Sequence, residues 1–238
     1  MRVGERLART YKDGRPGPRG FLDDHAFVVQ ALLDVHEASF DPRWLEEAVR
    51  LMDELETRFA DPRGGWFFAD GAERLIAREK PTHDGAEPSG ASIALLDALR
   101  LEAFTGDARW RRVAEGALRW YAPALAEQPV ALTEMLVALD AFTDVHREVV
   151  LVWPEDGPLP AEMLDVLRRS FQPNQVLTGA PEGPALVRLA RTATVAEARV
   201  AVGGQPTAYV CERGACRLPV ISADKLADQL RPVRPYPR

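Results

Sequence analysis

Three features are scarce in this sequence: cysteine, long apolar runs and excess positive charge. Two cysteines are too few for the disulfide framework of a small secreted protein. No apolar run approaches the roughly 18–20 residues that span a bilayer, and the N-terminus lacks the apolar core of a signal peptide. The net charge of −6 comes without a basic cluster interleaved with aromatics. The sequence therefore predicts a soluble, cytoplasmic protein that binds neither membranes nor nucleic acids.

The composition of the sequence is that of a globular protein, and its apolar residues recur mainly at helical spacing. Its 238 residues, 46% of them hydrophobic, suffice for one large or two small domains. After a predicted helix end and a Pro/Gly-rich loop within residues 1–20, apolar residues recur at helical spacing over 27–38 and 44–59. Asp41 suits the N-cap of the second helix, and Pro42 suits its first position. The two runs predict a helical hairpin, followed by a short strand at 66–68.

The same plan is repeated further along the chain. Asp-Pro-Arg-Trp at 41–44 matches Asp-Ala-Arg-Trp at 107–110, about 66 positions later, and each follows an apolar helix. Ser89 or Ser92 is predicted to start the next helix, and Asp107 to cap the one after it. A third hairpin is predicted to begin with a helix at 130–142. Such long hairpins suit an α/α toroid, a ring whose inner helices face a central cleft.

The pattern changes after Thr143, where apolar runs become short and strand-like. The elements predicted here are a strand at 148–153, a helix at 160–171, a strand at 175–178, a hairpin of 207–211 with 216–220, and a helix capped by Ser222 that ends near 230. The tail at 231–238 is predicted to fray. The fold class expected is mainly α, with a partial toroid over 1–143 and a small α/β region over 144–238.

Four segments carry a family resemblance along nearly the whole chain. They are Gly-Phe-Leu-Asp-Asp-His-Ala at 20–26, the Asp-Gly-Ala…Pro-Ser-Gly loop at 84–90, Phe-Gln-Pro-Asn-Gln-Val at 171–176, and Thr-Ala-Tyr-Val-Cys at 207–211 with Cys216. In this order they resemble the spermatogenesis-associated, or YyaL-type, thioredoxin-domain-containing proteins. Members of that family typically join an N-terminal thioredoxin-like domain to a long toroid similar to six-hairpin glycosidases and N-acylglucosamine 2-epimerases.

The resemblance implies that the chain corresponds to the C-terminal part of such a protein, without the thioredoxin domain. The sequence has no Cys-x-x-Cys motif, and it has fewer predicted hairpins than a closed toroid needs. Two positions depart from the family pattern: His25 stands where tyrosine is common, and Ala91 stands where asparagine is usual.

The candidate site lies where loops enter the predicted inner helices. Asp23, Asp24 and His25 precede one such helix, and Asp84 and Glu87 occupy the equivalent place one hairpin later. Two carboxylates across a cleft can act as general acid and base on a glycosidic bond. An adjacent imidazole can instead move a proton at a sugar carbon, as an epimerase requires. The predicted catalytic residues are Asp24, His25 and Asp84.

Further polar residues around the loop are candidates for binding rather than catalysis. The predicted ligand-binding residues are Asp23, His83, Glu87 and Ser89. A structural alternative stays open, in which Asp23 or Asp24 is an N-cap and Asp84 fixes a tight turn. The charged run at 78–80 could contact an anionic ligand, but we interpret it as solvated.

Cys211 and Cys216 are predicted to face each other across a hairpin with a four-residue loop, within reach of a disulfide. In a family linked to thioredoxin-like domains they form a candidate redox pair; the alternative is two small half-buried residues. No group of His, Cys and acidic residues has zinc-site spacing, and no phosphate-binding or dinucleotide loop is present. We therefore predict neither a metal nor a cofactor.

Three functions follow as hypotheses. The first is a region that binds or acts on a carbohydrate-like ligand, with epimerase-like or glycosidase-like chemistry if it is an enzyme. The second is a non-catalytic structural domain that packs against further hairpins, a thioredoxin-like domain or a second copy of itself. The third is a thiol relay through Cys211 and Cys216.

Overall fold

The computed structural model describes residues 2–3, 6–72 and 76–231. All of the predicted tail except Arg231 lies outside the described residues. Helices make up about half of the described part, and a small sheet accompanies them, so the mainly α prediction is confirmed. The ring arrangement stays a prediction. The chain divides into two compact units, Met1–Glu102 with Asp107–Asp144, and Ala103–Gly106 with Val145–Arg238.

The first unit begins with two short antiparallel pairs of strands. β1 (Arg2–Val3) pairs with β2 (Arg6–Leu7), and β3 (Tyr11–Lys12) pairs with β4 (Arg15–Pro16). Asp13 and Gly14 form the turn between β3 and β4, a dipeptide that favours tight hairpins over helix. The helix end predicted in this region is therefore wrong for its described residues.

Five α-helices follow among the described residues of the first unit. They are α1 (Leu22–Ser39), α2 (Pro42–Phe59), α3 (Gly90–Thr105), α4 (Ala108–Glu127) and α5 (Thr133–Thr143), with the last three residues of α3 grouped with the second unit. The predicted strand at 66–68 is reduced to a single bridge between Ala60 and Trp66.

The predicted repeat is present in the helix caps. The Asp41 side chain accepts a hydrogen bond of 3.0 Å from the N–H of Arg43, and Asp107 accepts one of 2.9 Å from Arg109. Both caps therefore satisfy backbone donors that a helix start leaves unpaired. Behind the first cap, the apolar stripe of α2 faces the core, and its fully or almost fully buried members are Leu45, Ala48, Leu51, Met52, Leu55 and Phe59.

Helices α1 and α3 run side by side in the same direction. Near their starts, Asp23 accepts a hydrogen bond of 2.9 Å from the N–H of Gly90. Further along, the Arg100 guanidinium lies 2.8 Å from the carboxylate of Asp34. The paired residues are 67 positions apart in the chain at the first contact and 66 positions apart at the second. Equivalent helices of consecutive hairpins are therefore neighbours in space as well as repeats in sequence.

The second unit contains a four-stranded sheet in the order β6-β5-β7-β8. Its strands are β5 (Arg147–Trp153), β6 (Gln175–Pro181), β7 (Thr207–Glu212) and β8 (Ala215–Cys216), and its helices are α6 (Ala161–Arg169), α7 (Pro184–Ala190) and α8 (Ala223–Leu230). β5 pairs parallel to β6 and antiparallel to β7. Its predicted role as a buried strand is confirmed, because Glu148 to Trp153 are all buried.

Two elements of this unit differ from the sequence prediction. β8 is shorter than the strand expected at 216–220, and Val220 instead forms a separate bridge to Ala208. Helix α7 was not predicted, because its seven residues are too few for a helical period to be recognised. Across the described ranges of the chain, no helix is long and apolar enough to cross a bilayer.

Candidate functional site

The starts of α1, α3 and α5 meet around the loop at 84–90. Asp23 accepts from Gly90 at the start of α3, as described above. The backbone N–H of Asp84 donates to the carbonyl oxygen of Ala131 at 2.7 Å, and its carboxylate accepts from the N–H of Glu134 in α5 at 2.9 Å. The structure thus joins Asp23 to the loop that contains Asp84 and Glu87.

Asp24 stabilises the first turn of α1. Its Oδ2 accepts a hydrogen bond of 2.8 Å from the N–H of Phe21 and one of 3.1 Å from the Arg9 guanidinium. An acidic side chain that bonds back to the N-cap N–H is half of the arrangement known as a capping box. The carboxylate therefore already has two donors from the chain itself.

His25 is fully buried. Its Nδ1 lies 2.8 Å from the carbonyl oxygen of Phe21, which can only accept, so Nδ1 carries the proton. Its Nε2 lies 3.1 Å from an Arg58 guanidinium nitrogen, which can only donate, so Nε2 accepts. The carboxylate of Glu54 lies 3.4 Å from the same Nε2. The edge of the ring packs against Phe59, and no part of it faces solvent.

Arg58 is the centre of this half-buried cluster, and the sequence analysis missed it. Its guanidinium donates to Asp70 at 2.6 Å and to Glu54 at 3.0 Å in addition to His25. Burial alone would raise the pKa of Asp70, but hydrogen bonds from Arg58 and from the N–H of Ala72 lower it below its ordinary value. Glu54 and Arg58 stand four positions apart on one helix, a spacing that could have indicated a pair.

Asp84 is buried and accepts three hydrogen bonds. Oδ1 accepts from the N–H of Ser89 and from the Ser92 hydroxyl, both at 2.8 Å, and Oδ2 accepts from Glu134. Burial and then the charge of Asp84 raise the pKa of both Glu134 and Tyr121. The carboxylate therefore binds the loop, α3 and α5 together.

The four predicted ligand-binding residues differ in accessibility. His83 and Glu87 are exposed and Asp23 is half-buried, whereas Ser89 is buried and its hydroxyl lies 3.0 Å from that of Ser92. Burial raises the pKa of Asp23 despite the hydrogen bond from Gly90, and the nearby charges of Asp24 and Glu87 raise it further. Three of the four candidates thus reach solvent.

Three charged residues, Lys80, Asp61 and Asp97, are buried although the sequence analysis did not place them in the core. Lys80, interpreted as solvated, pairs with Asp61 at 3.0 Å, and both side chains are 4% exposed. Its ammonium also lies 4.0 Å from the centre of the Trp120 ring, which favours burial of a cation. Asp97 in α3 is fully buried, and neither carboxylate oxygen has a hydrogen-bond partner among the described residues. Burial raises the pKa of Asp97 far above its ordinary value, which the charge of Arg100 only partly opposes.

The two cysteines form a disulfide in the second unit. Cys211 in β7 and Cys216 in β8 are directly opposite each other in the strand register. The turn between them contains only Arg213 and Gly214, both with positive φ, so it is tighter than the predicted four-residue loop. Cys211 is fully buried, whereas Cys216 is half-buried.

The fold and site define a helical-hairpin region with interlocked helix starts, followed by a small α/β unit with a cross-strand disulfide. No protein-family model matches the sequence. Over 226 residues the chain is 35% identical to spermatogenesis-associated protein 20 of Homo sapiens, an alignment that covers 94% of the chain and 29% of the human protein. The protein of the same name in Mus musculus is 35% identical over 214 residues, which are 89% of the chain and 27% of that relative.

A Caenorhabditis elegans protein described as uncharacterised is 28% identical over 217 residues, which cover 91% of the chain and 29% of the worm protein. These proteins are homologues of the chain, and they support the family resemblance that the motifs indicate. The chain spans less than a third of the length of these relatives.

Proposed function

We propose that the chain is a non-catalytic structural and interaction region of a longer protein of this family. The observation that carries the proposal is the hydrogen bonding of Asp84, whose two oxygens accept from three donors on three different parts of the first unit. Asp24 has a similar role, because its carboxylate accepts hydrogen bonds from the N–H of Phe21 and from the Arg9 guanidinium. In this proposal the acids of the site hold helix starts together.

The energetics favour this role for Asp84 over acid–base catalysis. A carboxylate acting as a general acid must reach its substrate, whereas that of Asp84 is buried and bonded to three donors of the chain itself. Each hydrogen bond to a charged group contributes about 1.5–3 kcal/mol, so losing even one is costly. His25 is separated from solvent by its own partners, which supports the same conclusion.

Exposed apolar side chains on two helices suit an interaction role. Val35 of α1 is 43% exposed, and Leu136 and Val137 of α5 are 36% and 47% exposed. A contiguous apolar patch commonly marks an interaction site, whereas single exposed apolar side chains are normal on a protein surface. The occupant we propose is the additional helical part of a toroid, which the greater length of the relatives leaves room for.

The test is the stability of Asp84→Ala, with Glu87→Ala as the matched control on the same loop. Removing the Asp84 carboxylate leaves buried N–H donors unpaired, so we expect a loss of about 2–3 kcal/mol in unfolding free energy by urea titration. Glu87 is exposed and should change stability by less than about 0.5 kcal/mol. An Asp84→Ala protein of unchanged stability would contradict the structural role.

A second measurement tests the interaction role of the purified chain. We expect self-association by light scattering, or binding of a hydrophobic dye to the folded protein. A strictly monomeric chain that binds no dye would contradict it.

A second candidate function is binding of a small sugar-like ligand at the solvent-facing part of the cluster. It is favoured by Asp23, whose half-buried carboxyl has a raised pKa and whose Oδ2 has no hydrogen-bond partner among the described residues. His83 and Glu87 are exposed on the adjoining loop, and a hydroxyl-rich ligand could bond to all three. Epimerisation and glycoside hydrolysis are the reactions to assay if a sugar binds.

This candidate is tested by thermal shift against a panel of sugars and sugar phosphates. A selective shift that disappears in Glu87→Gln, while the unliganded melting temperature stays constant, would support it. No shift with any member of the panel would reject it without affecting the structural proposal.

A further inference from the structure

The second unit contains a guanidinium directed at the two disulfide sulfurs. Nη2 of Arg199 lies 2.9 Å from Sγ of Cys216 and 3.9 Å from Sγ of Cys211. The side chain is held in place, because its Nε donates to the carbonyl oxygen of Val195 at 3.1 Å and its guanidinium lies 5.1 Å from the centre of the Tyr209 ring. A fixed cation therefore borders both sulfurs.

Arg199 has no carboxylate partner among the described residues, whereas other described arginines, such as Arg9, Arg58 and Arg109, have one. The guanidinium is half-buried, so its charge is only partly solvated. A neutral disulfide carries no negative charge that could balance the guanidinium. A thiolate, by contrast, is a full counter-ion, and a neighbouring arginine lowers the pKa of a cysteine thiol.

The strand register explains why the cysteines can form a bridge. The N–H of Arg217 donates to the carbonyl oxygen of Val210 at 2.9 Å, so Cys211 and Cys216 occupy the neighbouring non-hydrogen-bonded position. At such positions the side chains of an antiparallel pair lie closest together. The bridge closes a loop across only five positions, so it restricts the unfolded chain less than a long-range disulfide would.

We propose that Cys211 and Cys216 form a reducible disulfide that exchanges with a dithiol, and that Arg199 stabilises the thiolates released in the exchange. The inference concerns the second unit alone and is independent of the function proposed for the first.

The exchange balances in two steps. A thiolate of the dithiol attacks the half-buried Sγ of Cys216; a bond forms between those sulfurs, and the bond between Cys216 and Cys211 breaks. Cys211 leaves as a thiolate beside Arg199. The second thiolate of the dithiol then attacks the first sulfur of the dithiol, which is bonded to Cys216 in the mixed disulfide. This step releases the Cys216 thiolate. The two protons of the dithiol are lost to solvent as its thiolates form, and two thiolates are released on the chain in their place, so the chain is reduced by two electrons and the dithiol is oxidised to a disulfide.

The first experiment measures reduction of the folded chain by dithiothreitol, with alkylation and mass spectrometry to count free thiols. We expect circular dichroism to report the native fold throughout reduction, and both cysteines to be alkylated when the reduced sample is quenched in denaturant, because Cys211 is buried in the folded chain. A bridge that opens only when the protein is unfolded would overturn the proposal.

The second experiment isolates the role of Arg199 in the Cys211→Ala background, where Cys216 is the single thiol. Thiolate absorbance is followed against pH for this protein and for the same protein carrying Arg199→Gln, Arg199→Lys or Arg213→Gln. We expect Arg199→Gln to move thiolate formation upward by about one pH unit, Arg199→Lys to move it less, and Arg213→Gln on the exposed turn to leave it unchanged.

Identical pH curves with and without the Arg199 guanidinium would overturn the assignment. So would an equal shift in Arg213→Gln, because general positive charge on the hairpin would then suffice. The Arg199→Lys protein keeps the charge, so it gives a readout even if Arg199→Gln fails to fold.

Discussion

The carboxylate of Asp23 accepts a hydrogen bond of 2.9 Å from the N–H of Gly90, 67 positions later in the chain. Asp23 stands in the first turn of α1, and Gly90 is the first residue of α3. The N–H groups at a helix start have no partner within their own helix, and a negative charge there also favours the helix dipole. Helix α1 therefore supplies the acceptor for an unpaired N–H at the start of α3, which is the equivalent helix of the next hairpin.

This contact predicts that Gly90→Ala is destabilising. A Cβ at Gly90 would lie 2.4 Å from Oδ1 and 2.7 Å from Cα of Asp23, so the two helix starts would have to separate. Overpacking of this kind costs about 1–3 kcal/mol, measured here as the loss of unfolding free energy in urea. Gly85→Ala is the control, because the nearest atom its Cβ would meet is the carbonyl oxygen of Glu87 at 3.9 Å. Equal losses in both variants would show that the contact is not tight.

The two repeated caps predict two equal and independent losses. Asp41→Ala and Asp107→Ala each remove an acceptor from a helix start, so each should cost about 1 kcal/mol of unfolding free energy. The sites lie on different helices, so the double variant should lose about the sum. Strong non-additivity in denaturant titrations of the three proteins would contradict the equivalence of the repeats.

From the burial of Asp97 we expect the free energy of unfolding to fall as pH rises. Its pKa is raised by burial, so the folded state holds a proton that the unfolded state releases above the ordinary value of 3.8. Its stabilising contribution is complete below that value and is lost as pH rises toward the folded pKa, by at most about 1.4 kcal/mol per pH unit.

The measurement is the difference in unfolding free energy between the wild type and Asp97→Asn from pH 4 to pH 8. We expect the difference to move steadily in favour of Asp97→Asn as pH increases, because asparagine does not ionise. The comparison removes the contributions of Asp23, Glu56 and Glu134, whose pKa values burial also raises and which both proteins share. A difference that stays constant with pH would mean that Asp97 is charged in the fold.

His25 is predicted to be neutral and protonated on Nδ1. The Phe21 carbonyl oxygen requires a donor at Nδ1, and the Arg58 guanidinium requires an acceptor at Nε2. Long-range nitrogen–proton correlation spectra distinguish the two tautomers directly. An Nε2–H tautomer would indicate that Glu54, rather than Arg58, is the dominant partner.

The local parts of this fold could be predicted from sequence, and the long-range polar contacts could not. Asp41 and Asp107 were recognised as caps because a cap is defined by its own residue and the turn that follows it. The buried strand β5 was recognised because its burial gives a continuous apolar run. These signals lie within a few neighbouring residues.

Arg58, by contrast, meets His25 across 33 positions, and nothing in either neighbourhood marks the pair. Asp84 shows a different difficulty: the residue types that hold a helix start are those that catalyse acid–base reactions. Only the positions of its donors distinguish the two uses. Arg199 stood in no recognisable motif, since its relation to the cysteines depends on how the segment before β7 folds back.

The position of Asp84 between α3 and α5 has a consequence for how the first unit loses its structure. Arrays of repeats that contact only their neighbours can unravel from one end, one repeat at a time. Here a chain shortened before Glu134 would leave a buried carboxylate without one of its donors, in the loop that starts α3. Loss of α5 therefore weakens the preceding hairpin, and hydrogen exchange should show α3 and α5 opening as a single cooperative unit rather than as separate ones.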